Sequence, residues 1–220
     1  MAKPRSYKLL CPIARALDRI GDRWTLLILR DLHAGPARFG ELQKGLTGIA
    51  ANLLTERLGK LVDDGLVSKG EGGHGTVVYE LTPLGEKTGN VIFDLAILGG
   101  AFKPDVEPVA PGNLRTVATT LGAAAKRVAT PQMDFQAVLM VDGEAICLSV
   151  KTGIVSSLYR TCADPDLVLT TSYHDLLALS EGELAPDVFA QERSRLEVMT
   201  PGKEQEFLAL MEAIVRLLDT

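Results

Sequence analysis

Three histidines and three cysteines are the side chains of this 220-residue chain best suited to bind a metal or attack an electrophile. Their spacing assembles neither function. His33, His74 and His174 are scattered, and Cys11, Cys147 and Cys162 are a sparse, odd set. Neither has the close spacing of a metal site or of a disulfide framework. Free thiols of this kind suit a reducing cytoplasm. No nucleophile motif such as G-x-S-x-G stands out. The expectation is therefore a protein that is not an enzyme and carries no cofactor or metal. Gly70, Gly72 and Gly75 satisfy G-x-G-x-x-G. That motif grips a dinucleotide only where a helix follows. Here Thr76-Val77-Val78-Tyr79-Glu80-Leu81 follows with strand alternation, so the glycines suit a flexible hairpin tip.

A second group of residues carries a different chemistry. Leu54, Leu58, Leu61 and Val62 recur with helical spacing and must face a core. The opposite face then holds Ala51, Asn52, Thr55, Glu56 and Gly59. Small and amide side chains suit entry into a DNA major groove, where Asn pairs with adenine and a Thr methyl meets a thymine methyl. Arg38, Lys44, Lys60 and Lys69 would meet phosphates, which positions the protein without reading sequence. His74, at the hairpin tip, could reach a minor groove or a phosphate. An ordinary solvated helix face fits the same spacing.

The elements around this face favour the first alternative. Apolar periodicity predicts helices over Ile13 to Ile20 and Trp24 to Leu32, then a short one from Arg38. After the Leu46-Thr47-Gly48 connector comes the helix just described, closed by Gly65. Two strands follow, Leu66 to Lys69 and Thr76 to Leu81. Thr82-Pro83 supplies a cap and first turn for a further helix with Leu84, Val91, Leu95 and Leu98. Helix, helix, turn, helix and hairpin make a winged helix-turn-helix.

Net charge first argues against this. The chain carries −5, and nucleic-acid binders usually show a basic footprint. The average hides two unlike halves. Residues 1–103 hold 14 Lys and Arg against 11 Asp and Glu, a balance of +3, and residues 104–220 hold 9 against 17, a balance of −8. Between them Pro104, Pro108, Pro111 and Gly112 interrupt all periodicity. The expected organisation is a winged-helix domain over 1–103, a linker over 104–112 and a second domain over 113–220.

The second domain reads as a helix over Leu114 to Val128 and five strands: Phe135 to Val141, Glu144 to Lys151, Ile154 to Arg160, Leu167 to Thr170 and Arg195 to Met199. Asp142-Gly143 is a hairpin signal, and Ser172 with Asp175 caps a helix through Leu179. A last helix follows Thr200-Pro201. The periodicity indicates an antiparallel sheet with flanking helices, an α+β unit.

Several blocks of the first half resemble the HxlR-type bacterial transcription regulators. They include Tyr7, Cys11-Pro12-Ile13, Gly21-Asp22-Arg23-Trp24, Leu29-Arg30-Asp31-Leu32, Arg38-Phe39-Gly40-Glu41-Leu42, Leu53-Leu54-Thr55-Glu56-Arg57-Leu58 and Asp64-Gly65-Leu66-Val67. The resemblance covers roughly residues 7–100. It implies a homodimeric, MarR-like winged helix bound to double-stranded operator DNA. The segments near 11–20 and 83–101 would build the dimer. Some members sense oxidants or electrophiles through a cysteine at the place of Cys11. Here that residue precedes Pro12 at an expected helix start, where the helix dipole acts on a thiol. A packed small hydrophobe fits Cys11 as well.

Phe135 to Val141, Asp142-Gly143-Glu144, Asp164-Pro165-Asp166-Leu167-Val168-Leu169-Thr170 and Gly182-Glu183-Leu184-Ala185-Pro186 are similar to the sterol-carrier-protein fold. That resemblance covers roughly 113–218 and implies a cavity for an apolar or aromatic small molecule. Candidate wall residues are Phe135, Leu139, Phe189, Phe207 and Met211. A domain that has lost its cavity and serves only assembly is the alternative. The combined expectation is a cytoplasmic, homodimeric repressor that answers to an apolar effector, with no membrane partner. A redox regulator switching through Cys11, or a lipid carrier whose winged helix only dimerises, would fit the same features.

Overall fold

The computed structural model describes residues 6–102 and 113–218. The expected linker over 104–112 lies outside these residues. Contacts divide the chain into two units, 1–92 and 93–220.

Unit 1 begins with α1 (Pro12–Ile20) and α2 (Thr25–His33). Gly21-Asp22 breaks the chain between them. The Asp22 carboxylate accepts the amide protons of Trp24 and Thr25 at 3.0 and 3.1 Å, which satisfies donors that the start of α2 would otherwise leave orphaned. Next come α3 (Phe39–Gly45) and α4 (Ala51–Asp63). Glu41 reaches back to the Arg38 backbone N–H at 2.6 Å and fixes the start of α3. Gly48, at φ +92, turns the chain from α3 into α4.

Helix α4 ends in a Schellman arrangement. Leu66 N–H bonds to Leu61 C=O and Gly65 N–H to Val62 C=O, both at 3.0 Å, with Gly65 at φ +70. Leu54, Leu58 and Leu61 of α4 pack against Ile28, Leu29 and Leu32 of α2 and Leu42 of α3, all buried. The helical spacing of these leucines is thus converted into one core.

The wing is an antiparallel pair, β1 (Val67–Gly72) and β2 (Thr76–Leu81). Ala37 and Tyr79 exchange backbone hydrogen bonds at 2.9 and 2.8 Å, which ties the wing to the segment before α3. The strand runs further than expected. Gly70 and Gly72 pair with Val78 and Thr76, leaving only Gly73–Gly75 for the tip. A Cβ on Gly72 would lie 2.8 Å from Val78 Cγ1, so this glycine serves close cross-strand packing.

The helix after the wing also differs from expectation. It does not start at Pro83; α5 spans Thr88–Gly100. Thr82 Oγ1 donates to Gly65 C=O at 2.6 Å and accepts Gly85 N–H at 3.1 Å, closing a turn. Gly85 lies so close to Leu66 that an added Cβ would sit 2.1 Å from the Leu66 carbonyl oxygen. Gly85→Ala is expected to destabilise unit 1 by about 1–3 kcal/mol, because the backbone must shift to admit the methyl group. Denaturant unfolding of the variant beside wild type measures this, and an unchanged midpoint would refute the contact.

Unit 2 takes in the second half of α5. Phe93 is buried, and the Arg127 guanidinium stands 3.8 Å from its ring centroid while bonding Asp94 at 3.0 Å. Arg127 belongs to α6 (Leu114–Val128). The sheet comprises β3 (Phe135–Val141), β4 (Glu144–Lys151), β5 (Ile154–Leu158), β6 (Leu167–Thr171) and β7 (Arg195–Val198), in the order β5-β4-β3-β6-β7. Asp142-Gly143 and Thr152-Gly153 have positive φ at both residues, the conformation a two-residue hairpin loop demands.

The sheet is mixed, which corrects the expected antiparallel one. β3 and β6 are parallel, with Leu139 opposite Leu169. Strand β5 lies at one edge, so residues 159–166 cross over to the far side of β3 instead of turning back as a hairpin. Asp166 locks this arrival. Its carboxylate accepts Gln136 N–H at 2.8 Å, its N–H donates to Gln136 C=O at 2.7 Å, and its own carbonyl accepts Met199 N–H at 2.8 Å.

Helices α7 (Tyr173–Ser180), α8 (Pro186–Val188) and α9 (Lys203–Leu218) complete the unit. Ser172 caps α7 as expected, accepting Asp175 N–H at 3.1 Å. A π-turn over Phe189–Arg193 follows α8, with no forewarning in the periodicity. Phe207 of α9 meets Phe135 of β3 edge-on with ring centroids 5.8 Å apart. Gly122 of α6 lets that helix approach β5; a Cβ there would be 2.7 Å from Ser157 Cβ. Glu206 of α9 accepts Asp134 N–H at 2.7 Å, a bond that holds its carboxyl below the ordinary range.

Candidate nucleic-acid interface

Helix α4 divides as its sequence requires. Leu54, Leu58 and Leu61 are buried, and Ala51, Asn52, Thr55 and Glu56 are exposed. The apolar face anchors the helix, and the rigid seat holds the polar face outward. Among the described residues the Asn52 amide has no side-chain partner, so both its donor and its acceptor are open to a base edge. The Thr55 hydroxyl donates back to Ala51 C=O at 2.9 Å. What Thr55 offers a base is therefore its methyl group. Glu56 bonds Arg57 Nη1 at 3.2 Å. An acidic side chain on this face repels phosphate and suits acceptance from a cytosine amine.

Arg38 and Lys44 are exposed at the two ends of α3. Lys69 is exposed on β1, with Nζ 5.9 Å from the centroid of Tyr79, its cross-strand partner. The side chain of His74 lies outside the described residues. Lys60 departs from the expected phosphate-facing set. It is half-buried, and its ammonium donates to the Asp18 C=O at the end of α1, 3.1 Å away. Its attachment to α1 is a structural role that spacing along α4 did not announce.

Sequence reasoning missed Arg57. Its Nε lies 3.2 Å from the Asp22 carboxylate, so the recognition helix is tied to the bend before α2. The Gly21-Asp22 break was the available signal, because an acid that caps one helix can also hold a cation from another.

The cysteines separate into two settings. Cys11 is exposed just before Pro12, and its carbonyl accepts Arg15 N–H at 3.1 Å, which opens α1. The packed alternative for Cys11 does not hold within one protomer. Cys147 is buried and Cys162 half-buried. Burial, reinforced by the neighbouring Cys147 thiol, pushes the Cys162 thiol up to about 12. It stays protonated.

Phe135, Leu139, Phe189 and Phe207 are buried and Met211 is half-buried. Phe135 and Phe207 fill space against each other. Among the described residues there is no cluster of three metal-ligating side chains, and no helix is long and apolar enough to cross a membrane.

A helix-turn-helix core, a recognition helix with an exposed polar face and a two-stranded wing define a DNA-binding winged-helix unit. Comparison with known proteins agrees. The family model described as HxlR-like helix-turn-helix matches residues 19–107. The HTH-type transcriptional regulator YtfH of Escherichia coli is 33% identical over 90 residues, 39% of this chain and 70% of YtfH. An HTH-type transcriptional regulator of Mycobacterium bovis is 47% identical over 57 residues, 26% of this chain and 35% of that protein's length. The reduced form of the transcriptional regulator YodB from B. subtilis is 27% identical, with 45% of this chain and 100% of that chain covered and a TM-score of 0.38. The chain belongs to the HxlR-like helix-turn-helix family. The chain spans about a third of the length of the mycobacterial relatives it matches.

Proposed function

We propose that this regulator binds a pseudo-palindromic operator as a homodimer and represses transcription there. The observation that carries operator reading is the exposed face of α4, where Ala51, Asn52, Thr55 and Glu56 stand on a buried leucine seat. Dimerisation rests on two apolar stripes. Leu10, Ile13 and Leu17 are exposed along α1 and its approach, and Val91, Leu95 and Leu98 are exposed along α5. The 91, 95, 98 spacing is that of a helix seam. A twofold dimer matches half-sites about one helical turn apart.

Titration of duplex DNA from upstream of its own gene, against a scrambled duplex, tests this at several salt concentrations. The expected outcome is preference for the upstream duplex and weakening with salt, as phosphate contacts require. Equal affinity for both duplexes would contradict operator recognition. A reporter fused to that promoter tests the sign, and repression is expected.

The C-terminal unit is proposed as the sterol-carrier-like part that responds to an apolar effector. Support comes from α7, where Leu176, Leu177 and Leu179 are all half-buried and no residue is fully buried. Apolar side chains left at a half-covered helix suit an apolar ligand. Exposure of Cys11 favours a second reading, in which oxidation of this thiol alters operator binding. Cys11→Ser, compared with wild type under peroxide, tests it; identical responses would make the thiol a bystander.

A further inference from the structure

Residues 172–193 of the C-terminal unit, comprising α7, α8 and the π-turn, form a loop pinned at its base. Thr171 Oγ1 donates to Arg193 C=O at 2.9 Å, and Tyr173 N–H donates to the Asp142 carboxylate at 3.0 Å. Within the loop only Phe189 is buried, and Leu176, Leu177 and Leu179 of α7 are half-buried. At about 100° per residue these leucines fan over an arc of about 160°. That is wider than the stripe of roughly 100° with which a helix ordinarily faces a core, so part of the apolar surface stays outside. The charge beside it has one sign. No Lys or Arg occurs from 161 to 192. Glu181, Glu183, Asp187 and Glu192 are exposed, and among the described residues none of these carboxylates has an ion-pair or hydrogen-bond partner. Glu181 is the C-cap of α7, and the chain then folds back so that Glu183 N–H and Leu184 N–H both bond Ala178 C=O, at 2.8 and 3.0 Å. The C-terminal end of a helix is the negative end of its dipole and favours cations, yet α7 has no basic residue in its last turn. Two carboxylates stand there instead.

We infer that this loop binds a cationic amphiphile, with the apolar body along Leu176, Leu177 and Leu179 and the cationic head at Glu181 and Glu183. The outward leucine surface calls for a hydrocarbon or aromatic body. The negative end of α7 and its two carboxylates attract a cation, leave a neutral head without gain and repel an anion. Asp187 and Glu192 extend the same field. This assignment deepens the effector reading of the C-terminal unit and rests on it; what it adds is the charge of the ligand and the place of its head.

Calorimetric titration of the full chain with decyltrimethylammonium, decanol and decanoate, each below its micelle or solubility limit, tests the site without DNA. At low salt decyltrimethylammonium is expected to bind about tenfold more tightly than decanol, with decanoate weakest, and added salt should narrow the difference. The double variant Glu181→Gln, Glu183→Gln is expected to lower decyltrimethylammonium affinity about tenfold, to the level of decanol, while decanol binding stays as in wild type. A variant of equal net charge, Glu204→Gln with Glu212→Gln on α9, should keep the full preference for the cation. Equal losses in the two double variants would trace the preference to overall charge and overturn the site, as would full affinity in the first. Equal binding of all three ligands would overturn the charge assignment and leave the apolar-effector reading standing. No saturation by any of them would remove both.

Discussion

Ile13→Glu is expected to convert the proposed dimer to a monomer and to lower operator affinity about a hundredfold. Ile13 is 71% exposed in the protomer, and Leu10 before it is 96% exposed. Single exposed hydrophobes are ordinary. The stripe at positions 10, 13 and 17 and the stripe at 91, 95 and 98 on α5 are each apolar surface that water covers poorly. A carboxylate inside the proposed interface must be desolvated without a partner, at a cost of several kcal/mol, and the symmetry of a dimer imposes it twice. A monomer then grips one half-site where the dimer grips two. Ile13 is exposed within the protomer, so its fold should survive, and an unchanged circular dichroism spectrum would exclude misfolding. Sedimentation gives the mass and anisotropy titration gives the affinity. A dimeric Ile13→Glu protein with full operator affinity would remove these stripes from the account.

Leu58→Ala is expected to cost the winged helix about 2–5 kcal/mol. Leu58 is buried between the helices of unit 1 and belongs to the same cluster as Ile28, Leu42, Leu54 and Leu61. Truncation removes three carbons from that packing and leaves a void that fixed helices cannot fully close. The loss is a large share of the stability of a small domain. Unit 2 has a core of its own, including Phe135, Ile146, Leu148, Leu167 and Phe207. Its unfolding transition should persist while that of unit 1 moves to lower denaturant. A loss under 1 kcal/mol would mean that α4 is not seated as described.

Much of this architecture was legible in the sequence because it is local. The leucine spacing of α4 fixes which face is exposed, so Asn52 and Thr55 could be named before their surroundings were known. Asp142-Gly143 marks a hairpin because few other pairs tolerate positive φ at both residues. What escaped was contact between distant residues. The direction of β6 depends on where residues 159–166 deliver the chain, and Asp164-Pro165-Asp166 announces only a turn. The start of α5 is displaced by hydrogen bonds that Thr82 Oγ1 donates to Gly65 C=O and accepts from Gly85 N–H, and a cap residue alone does not reveal its partners. Lys60 has the type and position of a phosphate contact, yet its ammonium rests on a carbonyl of α1. Cys147 and Cys162 are apart in sequence, yet Cys147 adds to the burial that raises the Cys162 thiol.

The central claim is that the outward face of α4 reads bases, and the Asn52→Ala protein tests it most directly. Its affinity should be measured side by side on operator and scrambled duplexes at one fixed salt concentration. The operator complex is expected to weaken by about 1–3 kcal/mol, roughly five- to 150-fold, while affinity for the scrambled duplex stays unchanged. Equal losses on both duplexes, or no loss on either, would contradict base reading by α4.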